Sequence, residues 1–341
     1  MPSGLLMVEG LLDVSQFWPD SSSDADTIKV SVDLGSEPFK FRPHPGAEFA
    51  VTHAFDDATV KGATTKPAIQ RGKLVIRLQG VDAPELHYRP VAVLTSKKRN
   101  DQQSALWKKW CHEFRQALGE TATVGLGAKL KEFGKGEIPC RVETAVDAPD
   151  DAFDTYGRMV GDVIIPEGND FNVNEWLAAE GWAFPTFYAS MTPAEIDRLT
   201  TACEGARSAQ KGVWARERLP RSLEDNVFDF NLRYRAPAAD EAPDEGDGRT
   251  LMPKLFRRLS TWATNRKAKM VSGNFTSYLE ERPDELHLRD EFMEQGATAA
   301  PIYHLSEFIG SGGTFKAKPQ DLVFREKPSR LVGPNGKPVS W

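Results

Sequence analysis

The 341-residue chain is poor in cysteine, and its three copies, Cys111, Cys140 and Cys203, stand far apart. No Cys-x-x-Cys and no Cys/His pair has zinc-ligand spacing, so neither a disulfide framework nor a zinc module is expected. The chain also lacks an apolar run of 18 residues, which argues against a membrane-spanning helix. Its opening, MPSGLLMVEGLLDV, has no basic start and is interrupted by Glu9 and Asp13, so it does not read as a signal peptide. Together with reduced thiols this points to a cytoplasmic protein. An excess of positive charge is missing too: 43 Lys+Arg against 49 Asp+Glu leave a net charge of -6. That excludes a protein that coats nucleic acid by bulk charge, but not an enzyme with a focused cationic site. No repeat at a period of 20–50 residues is evident, which excludes solenoids. What remains is a globular chain of about two domains.

The sharpest change of composition is APAADEAPDEGDG at 236–248, Pro/Ala/acid-rich and without aromatics, which reads as a linker. Before it, Thr27–Val32 alternates like a half-buried strand and Leu74–Leu78 reads as a second. The segment between them, about 35–72, is too long for a turn; an extra hairpin or an ordered loop is expected there. Residues 100–117 carry Leu106, Trp110, Phe114 and Ala117 at helical spacing. Further strands are expected at 139–147 and 158–165. Asn172 and Gly181 bracket a helix, and Thr192-Pro193-Ala194-Glu195 opens another that runs to about Gln210. Strands, helix, strands, then two helices suit a small α+β domain on a closed sheet.

Three short segments place charge where strands begin or end: Asp24-Ala25-Asp26-Thr27, Arg77-Leu78-Gln79-Gly80-Val81-Asp82-Ala83-Pro84-Glu85, and Asp154-Thr155-Tyr156-Gly157-Arg158. Carboxylates from two of them could offer hard oxygen ligands to Ca²⁺ or Mg²⁺. Arg77 and Arg158 could clamp a phosphate through charge-assisted hydrogen bonds, and a spare carboxylate could activate water. Each fragment alone is weak, since a DxD pair is most often a solvated turn and a strand arginine a surface ion pair. Their occurrence together carries the argument.

At these residues the chain resembles the thermonuclease, or staphylococcal-nuclease-like, family. Its pattern is Asp-Gly-Asp-Thr, then Arg-x-x-Gly-(Ile/Val)-Asp-x-Pro-Glu, then Tyr-Gly-Arg, and all three occur in order. Val173-Asn174-Glu175-x-Leu177-x-x-x-Gly181 matches the family's second helix, and Ala206 to Trp214 its closing helix and Trp. The resemblance covers about 7–218. It implies an α+β fold, a five-stranded OB-type β-barrel with three helices. It implies a nuclease acting on DNA and/or RNA that leaves 3′-phosphates. By the same resemblance Asp26 and Asp82 are Ca²⁺ ligands, Ala83 lends its carbonyl, and Asp24 sits close by. Glu85 is the general base, and Arg77 and Arg158 bind the phosphate. Phe187 and Tyr188, after the second helix, stand where the family places tyrosines that stack on the nucleotide. Ala25 departs from the usual Gly and requires a backbone without positive φ there. Thr155 stands where some members carry a substrate-contacting Lys. His87 reads as a solvated loop residue beside the site, and Trp107 and Trp110 as packing.

The nuclease-like domain is thus expected at 1–219, with a long insertion at about 35–72, a linker at 220–248, and a C-terminal region of unknown fold at 249–341. In that region 249–279 carries seven basic and no acidic residues, with Leu255, Leu259 and Trp262 on one helical face. It reads as a basic helix for phosphate contacts or simply a solvated face; 311–341 reads as a loose tail. A protein partner that binds through 249–341 is a further expectation. The alternative to catalysis is an OB-type module that binds nucleic acid or a partner without cutting.

Overall fold

The computed structural model describes residues 2–215, 223, 228–236, 242–245, 249–310 and 313–341. Five strands close a mixed barrel: β1 (Gly4–Asp13), β2 (Thr27–Ser31), β3 (Lys73–Leu78), β4 (Glu137–Val146) and β5 (Met159–Ile165). The strand β1 pairs antiparallel with both β2 and β4, β2 with β3, and β4 with β5. The ring closes through the parallel pair of β3 and β5, where Ile76 faces Met159. Alternation sends Leu6, Val8 and Leu12 of β1, Ile28 and Val30 of β2, and Leu74, Ile76 and Leu78 of β3 into the core. Each such side chain contributes about 1.5–3 kcal/mol of apolar burial.

The helices correct the sequence reading in two places. The helical spacing of 100–117 is only partly used: α1 (Asp101–Trp110) stops at Cys111, whose backbone is extended. Phe114 instead exchanges two backbone hydrogen bonds with Tyr88, both 2.8 Å. A second helix, α2 (Gly119–Lys131), follows. Its Gly125 and Gly127 let Trp182 and Phe17 approach closely, and glycine is what weakened the helical pattern in the sequence. Then come α3 (Val173–Ala179), capped by Asn172, and α4 (Pro193–Ser208), with a Thr192/Glu195 capping box. Residues 1–215 therefore hold four α-helices among the described residues, one more than the resemblance implies.

The 35–72 insertion does contain added hairpins. Phe39–Pro43 extends the sheet on β1, and Thr59–Lys61 folds back on Thr65–Pro67.

The C-terminal region is built into the same core. Helix α5 (Pro253–Lys267) buries Leu255, Phe256 and Leu259. It is tied to the 88–93 loop by Tyr88 Oη to Thr261 Oγ1 (3.0 Å) and by Asn265, which accepts from Val93 N (3.0 Å) and donates to Val91 O (2.9 Å). The expected loose tail is docked through two strands and its last residue. Leu322–Phe324 lies parallel to Phe187–Tyr188 and antiparallel to Glu285–Leu288. Arg330–Val332 pairs with Thr59–Lys61 of the insertion, and Trp341 stacks on Phe41 at 4.3 Å. The expected linker lies partly outside the described residues. Within them, Phe228 and Phe230 pack on Phe114, and Arg235 pairs with the buried Glu120 at 2.6 Å. Aromatic burial and ion pairing, not chain flexibility, govern these stretches.

Because β-pairing joins the two halves, the chain should unfold as one unit. Phe324→Ala is expected to cost about 3–5 kcal/mol and to lower a single melting transition of the whole chain. Two resolved transitions, with only the smaller one shifted, would contradict the shared core.

Candidate active site

The barrel brings the three charged segments together at one rim. Thr27 at the start of β2 is in register with Arg77 on β3, which sets Asp24 and Asp26 beside that arginine. Past β3 the chain turns at Gly80, whose φ is +74 and where a Cβ would lie 2.3 Å from Leu199 Cδ1; only glycine fits. Asp82 then follows in a two-residue strand against Phe184. Ala25 is absent from the positive-φ residues, so its departure from glycine is accommodated. Because β5 runs parallel to β3, its start, and with it Arg158, lies beside the end of β3. The insertion buttresses that turn: Thr64 N donates to Thr155 O at 3.2 Å, and a Cβ on Gly62 would meet Thr155 O at 2.5 Å.

Arg77 is the hub. Its guanidinium reaches Asp26 Oδ2 at 3.2 Å, Asp82 Oδ1 at 2.6 Å and Val81 O at 2.7 Å. Asp26 Oδ2 also accepts from Ala83 N at 2.9 Å. Asp82 is 0% exposed, and its second oxygen is taken at 3.0 Å by Nη2 of Arg257, on α5. The same arginine binds Glu85 Oε1 through Nη1. Sequence reasoning counted Arg257 only as one cation in a basic run; nothing in the helical pattern marks it as turned into the pocket. Its neighbour Arg258 goes elsewhere, to Asp284 at 2.7 Å.

The acid groups separate by environment. Burial works to raise Asp82, but Arg257 and then Arg77 more than offset it, so Asp82 is held below the usual carboxylate range. Burial raises Glu85 to about 7; Arg257 opposes this, while Asp24, Asp82 and Asp26 reinforce it. Burial also raises Asp24, against the pull of His87, whose Nε2 lies 3.9 Å from Asp24 Oδ2. His87 is therefore part of the pocket's charge balance, not a merely solvated loop residue.

The other expected residues divide. Arg158 pairs with Asp154 at 2.7 Å rather than with the pocket carboxylates, though its charge is felt at Asp24. Phe187 is 0% exposed, so no nucleotide can stack on it as arranged; its strand pairs in parallel with Leu322–Phe324. Tyr188 is half-buried, with Lys254 Nζ over its ring at 5.5 Å. The exposed ring at this rim is Tyr156, 55% accessible and 5.7 Å from the Arg158 guanidinium; the Tyr-Gly-Arg motif contains it, but nothing in the sequence pattern marks it as exposed.

The donor chemistry of Asp24, Asp26, Asp82 and the Ala83 carbonyl suits a hard cation such as Ca²⁺. Their arrangement does not. Among the described residues no three His, Cys, Asp or Glu side chains converge as an ion's ligands, because Arg77 and Arg257 hold the oxygens that would have to turn inward. As arranged, these residues do not fit Ca²⁺.

Residues 75–216 match the family described as staphylococcal nuclease homologue. The chain carries a staphylococcal-nuclease-like domain. The match begins inside β3 and ends just past the Trp214 turn, so it takes in Arg77, Asp82, Glu85 and Arg158 but not α5. Endonuclease YhcR of Bacillus subtilis (strain 168) is 29% identical to this chain over 194 residues. That similarity covers 55% of this chain and 13% of the relative, so the chain spans only a small part of that protein. No helix among the described residues is long and apolar enough to cross a membrane.

The raised Glu85 sets a sign for stability. Its folded pKa, about 7, lies above its ordinary 4.5, so the folded state holds the proton more tightly and the resulting stabilisation is lost as pH rises through that window. The melting temperature of Glu85→Gln is therefore expected to gain on that of the wild type between pH about 5 and 7.5. Parallel curves would show that Glu85 is not raised.

Proposed function

We propose that the chain is a nuclease that hydrolyses phosphodiester bonds of DNA or RNA. The observation that carries this reading is the convergence, on the rim of a staphylococcal-nuclease-like barrel, of the Asp82 and Glu85 carboxylates with the guanidinium groups of Arg77 and Arg257. The relative that this chain resembles is named as an endonuclease, which agrees with it.

In this reading ionised Glu85 takes a proton from the attacking water. A pKa near the working pH suits that role, since the group is then partly ionised and still basic. Arg77 and Arg158 face the phosphate and stabilise the charge that grows on its oxygens. Asp26 and Asp82 hold Arg77 in place, so its orientation is fixed before substrate arrives and little reorganisation is needed during reaction. Arg257 orients Glu85 and supplies a further positive charge beside it. Tyr156 offers a ring to the neighbouring base. The family's calcium is assigned no step, because the carboxylates as arranged do not form its shell.

The test is digestion of DNA and RNA oligonucleotides by the purified chain, with added Ca²⁺ and with EGTA. Glu85→Gln is expected to lower the rate by about 10²–10⁴, and Arg158→Ala by about 10²–10³, with melting nearly unchanged for Arg158→Ala. Absence of cleavage under both conditions, or a Glu85→Gln variant as fast as wild type, would overturn the reading.

A further inference from the structure

Helix α5 does not end at the pocket. Arg257 lies in its second turn, whereas Arg266 and Lys267 close its last. Nine residues at about 1.5 Å each separate Arg257 from Arg266, a reach of about 14 Å.

At that far end α5 packs against α1. Gln103 Nε2 of α1 donates to the Lys269 carbonyl at 3.0 Å. One ring joins the two elements: Lys109 Nζ lies 5.3 Å from the centroid of Trp110, and Lys267 Nζ lies 5.0 Å from the same centroid. Arg99, which precedes α1, sits over Trp107 at 5.9 Å, and Lys108 adds another cation. Lys108, Lys109, Arg266, Lys267 and Lys269 are exposed, and Arg99 is half-buried. Among the described residues none of these six has a carboxylate partner, although 23 other ion pairs lie elsewhere on the described chain. The chain as a whole carries an acidic balance, so an unpaired cationic face is not a reflection of composition.

Two ammonium groups held at one indole repel each other, and the ring's quadrupole offsets only about 0.5–1 kcal/mol of that at an exposed site. A ligand with negative charges spaced along it would relieve that repulsion and meet the neighbouring cations as well. We propose that this face, formed by the C-terminal half of α5 with α1 and Arg99, binds the sugar-phosphate backbone of the nucleic acid whose scissile phosphate lies at the Arg257 end. Helix-stacked, at about 3.4 Å per nucleotide, a strand reaches 14 Å in about four nucleotides, and a more extended single strand in fewer. Helix α5 then both supplies a charge to the pocket and tracks the strand away from it. The inference rests on the nuclease reading for its substrate class.

Its test separates the two. Binding is measured on the 341-residue chain slowed in cleavage by Glu85→Gln, by fluorescence anisotropy with a labelled single-stranded oligonucleotide of about 20 nucleotides over a range of salt concentrations. Adding Lys109→Gln, Lys267→Gln and Lys269→Gln, all exposed and outside the pocket, should weaken binding on the order of tenfold or more and lower the slope of log K against log salt by about 2. In the cleaving chain the same triple change should raise KM for the long substrate while leaving kcat, and cleavage of a dinucleotide, unchanged. Unaltered affinity and slope in the triple variant would overturn the proposal whether or not the chain cuts. Equal competition by polyglutamate of matched charge would also overturn it, by assigning the face to acidic protein. Loss of binding in the triple variant of a chain that never cuts would uphold this surface while the hydrolytic reading fails.

Discussion

Asp82 is a carboxylate with no exposed surface, and the site is organised around keeping it charged. A buried ion left without partners costs several kcal/mol, and removing one partner of a buried pair commonly costs about 3–5 kcal/mol. Here one partner, Arg77, comes from the barrel and the other, Arg257, from a helix 175 positions further along the chain. The ion pairs therefore do two things together. They hold the guanidinium groups in fixed orientations at the rim, and they fasten the C-terminal region to the barrel at the point where chemistry is proposed.

The same economy appears in the surrounding scaffold. The 35–72 insertion presses one hairpin against the turn that carries Tyr156 and Arg158, and receives a strand from Arg330–Val332 on its other edge. The C-terminal segment pairs one strand with Phe187–Tyr188 and seats Lys254 over the ring of Tyr188. Pieces that look like additions in the linear chain thus form walls of the site. Glu85 keeps only 12% of its side chain exposed at this rim, and its burial is the largest cause of its raised pKa.

Local chemistry made much of the fold readable in advance. The half-buried strands at Thr27 and Leu74 alternate with period two. The Asn172 and Thr192 caps satisfy helix N–H groups with their own side chains. Where the reading failed, a local pattern competed with a distant contact. The spacing of Leu106, Trp110, Phe114 and Ala117 favours one helix, yet Phe114 gains a backbone pairing with Tyr88 and a ring contact with Phe228, and the helix ends early. The glycines of α2 conceal a helix whose stability comes from close packing against Phe17 and Trp182.

The sequence by itself determined which residues carry charge at the strand ends, in an order that a resemblance could match: Asp24, Asp26, Arg77, Asp82, Glu85 and Arg158. Those positions are set by short-range rules, because a turn, a cap or a strand end is written in a few neighbouring residues. Only the tertiary structure decided that Arg257 joins them, that the carboxylate oxygens are held by arginine rather than turned toward a common centre, and that Phe187 is buried. The physical reason is that a guanidinium on a helix has the same local signature whether it faces water or a carboxylate. Which it faces depends on the depth of a distant Asp82, and that depth exists only once the chain has closed around it.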